Sequence, residues 1–554
     1  MNKTFIELPE LTLKALFDYS VKEYAHRPFV QFVEEEGLSY ENFAKEVEEV
    51  QKILVEYGIG HGDKVALYSE NMPNWSVVYF AVVTLEAVIV PILPDFHTSE
   101  ALHIATHAGC KAAFISQKLF ETMLNERQPQ NLNLLVILDR LYILDKLSTS
   151  FKAKTLEKFY KHKKELATPK EEDLAAIIYT SGTTGSSKGV MLSHKNLAFD
   201  ASAVQSVVDI YPEDKFLSIL PLAHTYECTA GMIIPLLNGA SIHYIKKPPT
   251  PTVLIGAMST VKPSFMLTVP LIIEKIYKNK VLVNFEKNIF IKTLYSVPFI
   301  RKRLNLIAGK KLMETFGGNL KFFGIGGAGV SPTVEAFLRE AKFPYCIGYG
   351  LTETSPVLAG TDPSRTKYKA IGPAILGVEF QLREQNKDGI GTLWAKGSNV
   401  MMGYYKDEEK TAEVIDENGW FNTEDIGYID EDGYFFMSGR AKNIIIGSSG
   451  ENIYPEQIEA TINAHKLVSD SLVLDSQGVL TARIYLDYDK LDEVLNTKDD
   501  SETALHKKVE DILEEIRVEV NSNISSFSRI KKVIEQREEF IKTPTKKIKR
   551  YLYQ

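Results

Sequence analysis

Leu174-Ala-Ala-Ile-Ile-Tyr-Thr-Ser-Gly-Thr-Thr-Gly-Ser-Ser-Lys-Gly189 is a short apolar run that opens into hydroxyls and glycines with a single cation. The run from Leu174 to Tyr179 has the length and composition of a buried strand, so the polar part hangs from a strand end. Gly182, Gly185 and Gly189 let backbone N–H groups turn toward one point. Thr180, Ser181, Thr183, Thr184, Ser186 and Ser187 add short donors, and Lys188 adds the charge. Together these are the parts of a phosphate cradle. It is not a Walker loop: counted from Gly182, the second glycine position holds Ser187, and Lys188 is followed by Gly189. Nor does it read as a linker, because linkers rarely begin at a buried strand with this density of anion donors.

Outward from this stretch, 554 residues are too many for one core and predict at least two domains. Hydrophobic residues make up 44% and charged residues 25%, the proportions of an ordinary globular chain. The formal charge of −8 argues against a dedicated nucleic-acid binder. Cys110, Cys228 and Cys346 are too far apart for a disulfide framework, which implies a reducing compartment. The run from Val77 to Leu93 is broken by Glu86 and Pro91, too interrupted for a transmembrane helix. No signal peptide is read at the N-terminus. A cytoplasmic protein is expected.

Before the cradle, strands at Lys64–Tyr68, Ala87–Leu93 and Lys111–Ile115 alternate with helices, a βαβ rhythm. Ser39 reads as the cap of an amphipathic helix over Asn42–Tyr57. His103, His107 and Cys110 lie close in sequence but lack a fourth ligand, so a structural role is expected for them. After the cradle, Val190–Leu192 reads as a strand, Ser193 as a cap and His194–Val208 as a helix. Between Lys275 and Lys311, ten basic side chains face one acid, Glu286, with apolar residues interleaved. A solvated helical face and a surface for anionic lipid head groups both fit this pattern.

Gly324-Ile-Gly-Gly-Ala-Gly329 follows a strand at Leu320–Phe323 and precedes a helix at Ser331–Glu340, so it satisfies the dinucleotide-binding pattern in form. About 20 residues on, where that fingerprint needs an acid at a strand end, the chain reads Gly348-Tyr-Gly-Leu-Thr-Glu-Thr354. This second stretch offers a ring for a purine, space for backbone approach, a hydroxyl and a carboxylate suited to Mg²⁺. Further on come Trp420-Phe-Asn-Thr-Glu-Asp425, Gly439-Arg-Ala-Lys442, a glycine-bearing turn at 447–451 and the basic end Lys542-Thr-Pro-Thr-Lys-Lys-Ile-Lys-Arg550.

In this order the stretches resemble the ATP-dependent adenylate-forming (AMP-binding) superfamily, and within it long-chain fatty acyl-CoA synthetases. The resemblance implies an α/β fold: a large domain over 1–439 of mixed βαβ sheets layered with helices, a hinge at 440–442 and a small mobile α+β domain over 443–554. It implies ATP, Mg²⁺ and coenzyme A. The nucleotide would be bound by Thr180, Ser181, Gly182, Thr183, Thr184, Gly185, Lys188, Gly327, Ala328, Tyr349, Gly350, Thr352, Asp425 and Arg440, with Asp425 on the ribose. Lys547, Thr184, Glu353 and His224 would be catalytic, Glu353 also holding the metal. Lys442 would be the hinge, Gly450 and Glu451 would flank the coenzyme A channel, and His224, Tyr226 and Gly326 would shape the acyl pocket. Two positions depart from the family pattern: Glu424 stands where glycine usually precedes the ribose aspartate, and Lys546 replaces the glycine before the catalytic lysine. Alignment on Thr543 and Arg550 selects Lys547.

The implied activity is ATP-dependent ligation of a medium- to long-chain fatty acid to coenzyme A through acyl-AMP. The alternatives are ligation of an aryl or short-chain acid, and a non-catalytic acyl- or nucleotide-binding relative. An amino-acid-activating enzyme would carry an acid near His224, and Pro221 to Tyr226 offers none. Small-molecule substrates are the expected partners and nucleic acid is not. Peripheral contact with the inner membrane face and a homodimer are left open.

Overall fold

The apolar run is a strand, Leu174–Thr180, and its five central residues are buried. It pairs antiparallel with Lys188–Ser193, Thr180 opposite Lys188 and Tyr179 opposite Gly189. On its other side lies Val88–Ile92, in parallel. These belong to a nine-stranded sheet whose parallel part also holds Lys64–Tyr68, Cys110–Ile115 and Leu134–Ile137. Val88–Ile92 is buried at every position, as a near-continuous apolar run in a parallel sheet requires. Helix Pro73–Val83 is apolar all round and buried from Trp75 to Val83, so it lies inside the protein rather than on it.

The structure is a computed structural model that describes residues 5–124, 132–144, 153–154, 168–180, 187–286, 289–446, 451–495, 502–543 and 547–554. A second sheet has seven strands, in which Tyr345–Ile347, Phe322–Ile325, Phe265–Thr268, Lys215–Ser218, Ser241–Tyr244 and Pro28–Phe32 run parallel. One buried cluster joins the two sheets, with Val65, Ile177, Ile242 and Phe265 among its members. Then follows a four-stranded antiparallel sheet over Glu379–Arg383, Gly391–Lys396, Phe421–Ile429 and Phe435–Arg440. Beyond Arg440, Val468–Ser476, Val479–Leu486 and Lys532–Glu535 form a three-stranded sheet. Helices Pro455–Asn463 and Glu502–Ser522 accompany it, and a separate cluster from Ile453 to Ile530 is its core. The α/β architecture expected from the sequence is what the chain adopts.

Local signals hold where side-chain chemistry is decisive. Ser39 accepts a hydrogen bond from Asn42 N and starts helix Tyr40–Glu56. Ser193 and Asn196 form a reciprocal capping box on helix His194–Ala203. The strand expected at 320–323 lies at Phe322–Ile325, because parallel pairing of Leu267 with Gly324 and of Thr268 with Ile325 carries the ladder into the glycine run. His107 Nδ1 lies 2.7 Å from the Tyr179 hydroxyl oxygen, and burial pushes the Cys110 thiol up to about 12. Among the described residues, the metal-ligating groups that converge are instead His61, Glu86 and Asp173. No helix of the described residues is long and apolar enough to cross a membrane.

Candidate active site

Parallel strands aim their C-terminal ends at one edge, and ligands of open α/β sheets gather there. Ser218, Thr268, Ile325 and Ile347 end four neighbouring strands of the second sheet. From these ends leave the segment that carries His224, the glycine turn at 326–331 and the Tyr349–Glu353 stretch.

Thr180 and Lys188 face each other across the hairpin ladder. Ser181, Gly182, Thr183, Thr184 and Gly185, between them, lie outside the described residues. Ser187 Oγ donates to Glu100 Oε1 at 2.7 Å. The Lys188 ammonium lies 5.3 Å from the centre of the Tyr404 ring, a cation–π distance. The Tyr404 hydroxyl in turn donates to Glu353 Oε1 at 2.9 Å, and Met401 N donates to the Glu353 carbonyl at 2.9 Å. Burial and the Glu353 charge both raise the Tyr404 hydroxyl above its ordinary pKa. The motif reading missed Tyr404, whose position follows from pairing of Gly403–Tyr404 with Val190 and Met191.

Asp425 and Arg440 are register partners on adjacent antiparallel strands, so their side chains share a face. Arg440 Nε stands 3.0 Å from Asp425 Oδ1, and the Tyr349 hydroxyl donates to Oδ2 at 2.7 Å. Burial raises the Asp425 carboxyl above its ordinary range, and the Arg440 guanidinium opposes this. Apart from this ion pair, Oδ1 is buried and, among the described residues, takes part in no hydrogen bond, so it retains acceptor capacity. Thr352 opens the short turn Thr352–Thr354 that carries Glu353. At Gly350 a Cβ would lie 1.6 Å from the Pro356 carbonyl oxygen. The space expected to serve a ligand's approach is taken by the protein's own backbone.

Gly327 has φ +83°, a left-handed conformation that favours glycine; Ala328 follows it, exposed. A Cβ on Gly326 would meet the Tyr226 ring at 3.0 Å, and one on Gly324 would meet its hydroxyl at 3.0 Å. The glycines are therefore a wall against which Tyr226 packs. His224 caps the next helical turn, its Nδ1 accepting from Tyr226 N at 3.2 Å, which leaves the ring proton on Nε2. Burial, with the Lys547 charge second, lowers the His224 pKa to about 4. A histidine neutral at physiological pH donates a hydrogen bond and does not supply a cation. Glu227, beside this motif, is buried against Gly231. Burial raises its carboxyl to about 8, which Ser218 opposes by a hydrogen bond.

Lys547 is brought to this edge from the far end of the chain. Its ammonium is lowered below its ordinary pKa, first by the surrounding protein and then by Arg440, while Asp425 and Glu353 oppose. The residue is nonetheless exposed, so solvent screens these interactions. The hairpin beneath it is closed by Thr543 N to Lys547 O at 2.7 Å and by Lys547 N to Thr543 Oγ1 at 3.1 Å. Residues from four separate segments, at 224, 353, 425–440 and 547, thus share one electrostatic neighbourhood.

The family model of the AMP-binding enzyme matches residues 17–405. The chain belongs to the AMP-binding enzyme family. This AMP-binding enzyme is 28% identical over 510 residues to long chain acyl-CoA synthetase 7, peroxisomal, of Arabidopsis thaliana, covering 85% of this chain and 72% of that one. It is 27% identical over 577 residues to long-chain-fatty-acid–CoA ligase 1 of Homo sapiens, covering 93% and 80%. Among solved structures, ATP-bound MatB from Rhodopseudomonas palustris superposes with a TM-score of 0.75 at 22% identity, covering 98% of both chains. The anthranilate CoA ligase AuaEII in complex with anthranoyl-AMP gives 0.76 at 18%, covering 98% and 96%. The expected class, an AMP-forming acyl-CoA synthetase, is borne out.

Lys442, in the turn Ala441–Asn443, lies 3.4 Å from Glu424 Oε2. Glu424 has φ +58°, so the glycine usual in the family is replaced by a side chain held in the left-handed region. Glu451 is partly exposed just before the short strand Asn452–Ile453; Gly450 lies outside the described residues. Glu353 suits a hard cation: it is half-buried, Tyr404 holds one oxygen, and the other has no donor among the described residues.

Proposed function

We propose that this enzyme joins a medium- to long-chain fatty acid to coenzyme A at the expense of ATP, with 1–439 and 443–554 acting as two units about a hinge at 440–442. The observation that carries the reading is the pairing of Asp425 with Arg440 at 3.0 Å together with the electrostatic coupling of Lys547 to Asp425, Arg440 and Glu353, the set a phosphoryl centre with developing negative charge calls for. Long-chain synthetases among the relatives support the substrate class.

In the first half-reaction a fatty carboxylate oxygen attacks the α-phosphorus of ATP. The bond to the bridging oxygen breaks, and pyrophosphate departs with that electron pair. Lys547, the 180–188 cradle and the neutral His224 N–H stabilise the oxygens on which charge collects. Asp425 orients the ribose, and Arg440 opposes the burial that raises the Asp425 carboxyl. Glu353 would hold Mg²⁺, which when bound neutralises phosphate charge. In the second half-reaction the coenzyme A thiolate attacks the acyl carbonyl carbon and AMP leaves. For this the small unit turns about Lys442, withdraws Lys547 and presents Glu451. We place the protein in the cytoplasm, with the basic face over 275–311 available to an anionic membrane.

One observation favours a second reading, ligation of a short or aryl acid: the Tyr226 ring fills the space over Gly324 and Gly326, where a long chain would pass. A thioester assay with ATP and coenzyme A over acids from acetate to oleate, benzoates included, separates the two. Turnover confined to benzoates or acids shorter than hexanoate would replace the first reading. No turnover with any acid would favour a non-catalytic relative.

A further inference from the structure

Lys278 is one of the ten basic residues whose sequence suggests an exposed face, yet it turns inward. Its ammonium donates to the carbonyl of Asn463 at 2.7 Å and to that of Val468 at 3.1 Å. Both acceptors belong to the segment beyond the hinge. Asn463 ends helix Pro455–Asn463, and the last carbonyls of a helix carry partial negative charge with no partner in the helix. Lys278 therefore bonds where a cation is most effective.

The inward direction has a local cause. Residues Tyr277–Leu282 form a π-helical turn, a widening that re-aims side chains and recurs at functional sites. Tyr277 packs on Phe337 with ring centres 5.0 Å apart. Glu274, one turn earlier, accepts from Ser331 N at 2.9 Å. The base of the lysine is thus fixed to the large unit on both sides. Enclosure lowers its pKa, opposed chiefly by Glu274.

From those carbonyls a continuous path leads to Lys547. The helix gripped at Asn463 also presents Glu459, which takes a charge-assisted hydrogen bond from Arg550. Arg550 also donates to the Val473 carbonyl at 3.2 Å. Lys542 pairs with Asp470 at 2.7 Å. Arg550 and Lys542 flank the hairpin that carries Lys547, so holding the helix holds the hairpin. We infer that Lys278 is the latch that keeps the small unit in the arrangement with Lys547 inserted, and so sets how the enzyme divides its time between its two half-reactions. It is a positioning residue that touches no substrate. The inference rests on the proposed two-step ligation, because only a turning small unit must release these carbonyls.

The test uses the full chain and three proteins: wild type, Lys278→Met and Lys278→Arg. Acid-dependent ATP–pyrophosphate exchange reports the first half-reaction, and thioester formation from supplied acyl-AMP and coenzyme A reports the second. Loss of two charge-assisted hydrogen bonds is expected to lower exchange by roughly tenfold in Lys278→Met, while thioester formation stays within about twofold of wild type or rises. Lys278→Arg, which keeps the charge and donors, should recover most of the exchange. A merely structural lysine would depress both half-reactions in step; that outcome, or unchanged exchange in Lys278→Met, overturns the latch. Wild-type protein that exchanges with no acid of the panel would instead refute the ligase reading, a result visible before any variant is compared.

Discussion

Tyr404 and Glu353 are 51 residues apart in sequence and 2.9 Å apart in the fold, hydroxyl to carboxylate. The bond fixes one carboxylate oxygen, and the other has no donor among the described residues. Tyr404→Phe should therefore misplace Glu353 without unfolding the strand pair beneath it. A hydrogen bond to a charged group contributes about 1.5–3 kcal/mol, so kcat/KM for MgATP should fall roughly tenfold or more, while KM for the acid stays close to wild type. Steady-state kinetics with each substrate varied checks this; an equal rise in both KM values would show that the tyrosine supports the fold at large.

Lys547 is a cation coupled electrostatically to both Asp425 and Glu353. Lys547→Ala should reduce acid-dependent pyrophosphate exchange on the order of 10²–10³-fold, the usual loss for one preorganised charge, and leave thioesterification of supplied acyl-AMP largely intact. Unchanged exchange would remove the lysine from the adenylating step.

Glu227 gives a pH dependence whose sign follows from its burial. Its carboxyl rises from 4.5 to about 8 in the folded protein, so the fold binds that proton more tightly than the unfolded chain does. The resulting stability is fully present below about pH 4.5 and is lost as pH rises toward 8. The titratable neighbours Tyr226, Cys228 and Tyr244 are themselves raised by burial and stay neutral across this range. Glu227→Gln cannot ionise, so its unfolding free energy should fall less steeply than that of wild type between pH 5 and 8, by up to ~1.4 kcal/mol per pH unit at the steepest point. Parallel melting curves for the two proteins would exclude the titration.

Gly350 is a packing requirement. A methyl there would sit 1.6 Å from the Pro356 carbonyl oxygen, and backbone cannot give way as a flexible side chain does. Gly350→Ala should destabilise the chain by about 3 kcal/mol or more. Denaturant unfolding measures this; a loss of activity at unchanged stability would return the glycine to a role in ligand approach.

The sequence carried the elements whose signal is local. Ser39, Ser193 and the apolar run at 174–179 declare their structure through capping and burial, which need no distant partner. The motif residues Glu353, Asp425, Arg440 and Lys547 were legible as types of chemistry; Glu353 follows a strand end of the second sheet, whereas Asp425 and Arg440 meet only through antiparallel register. Tyr404 was not legible, because its role is created by an antiparallel pairing with Val190 and Met191 that no local pattern announces. Lys278 was misread for a related reason: charge composition describes a stretch, and a π-helical turn decides which way one member points. Glu227 stood immediately after the motif inspected for an acid, and only its burial gives it meaning.

Glu424 stands one peptide bond from Asp425, and its backbone at φ +58° leaves its side chain few conformations to choose from. Its bridge to Lys442 is consequently brittle. If residue 442 turns as we propose, that rotation must break this bridge, and the two proposed arrangements would differ by a discrete break beside Asp425 and not by gradual drift.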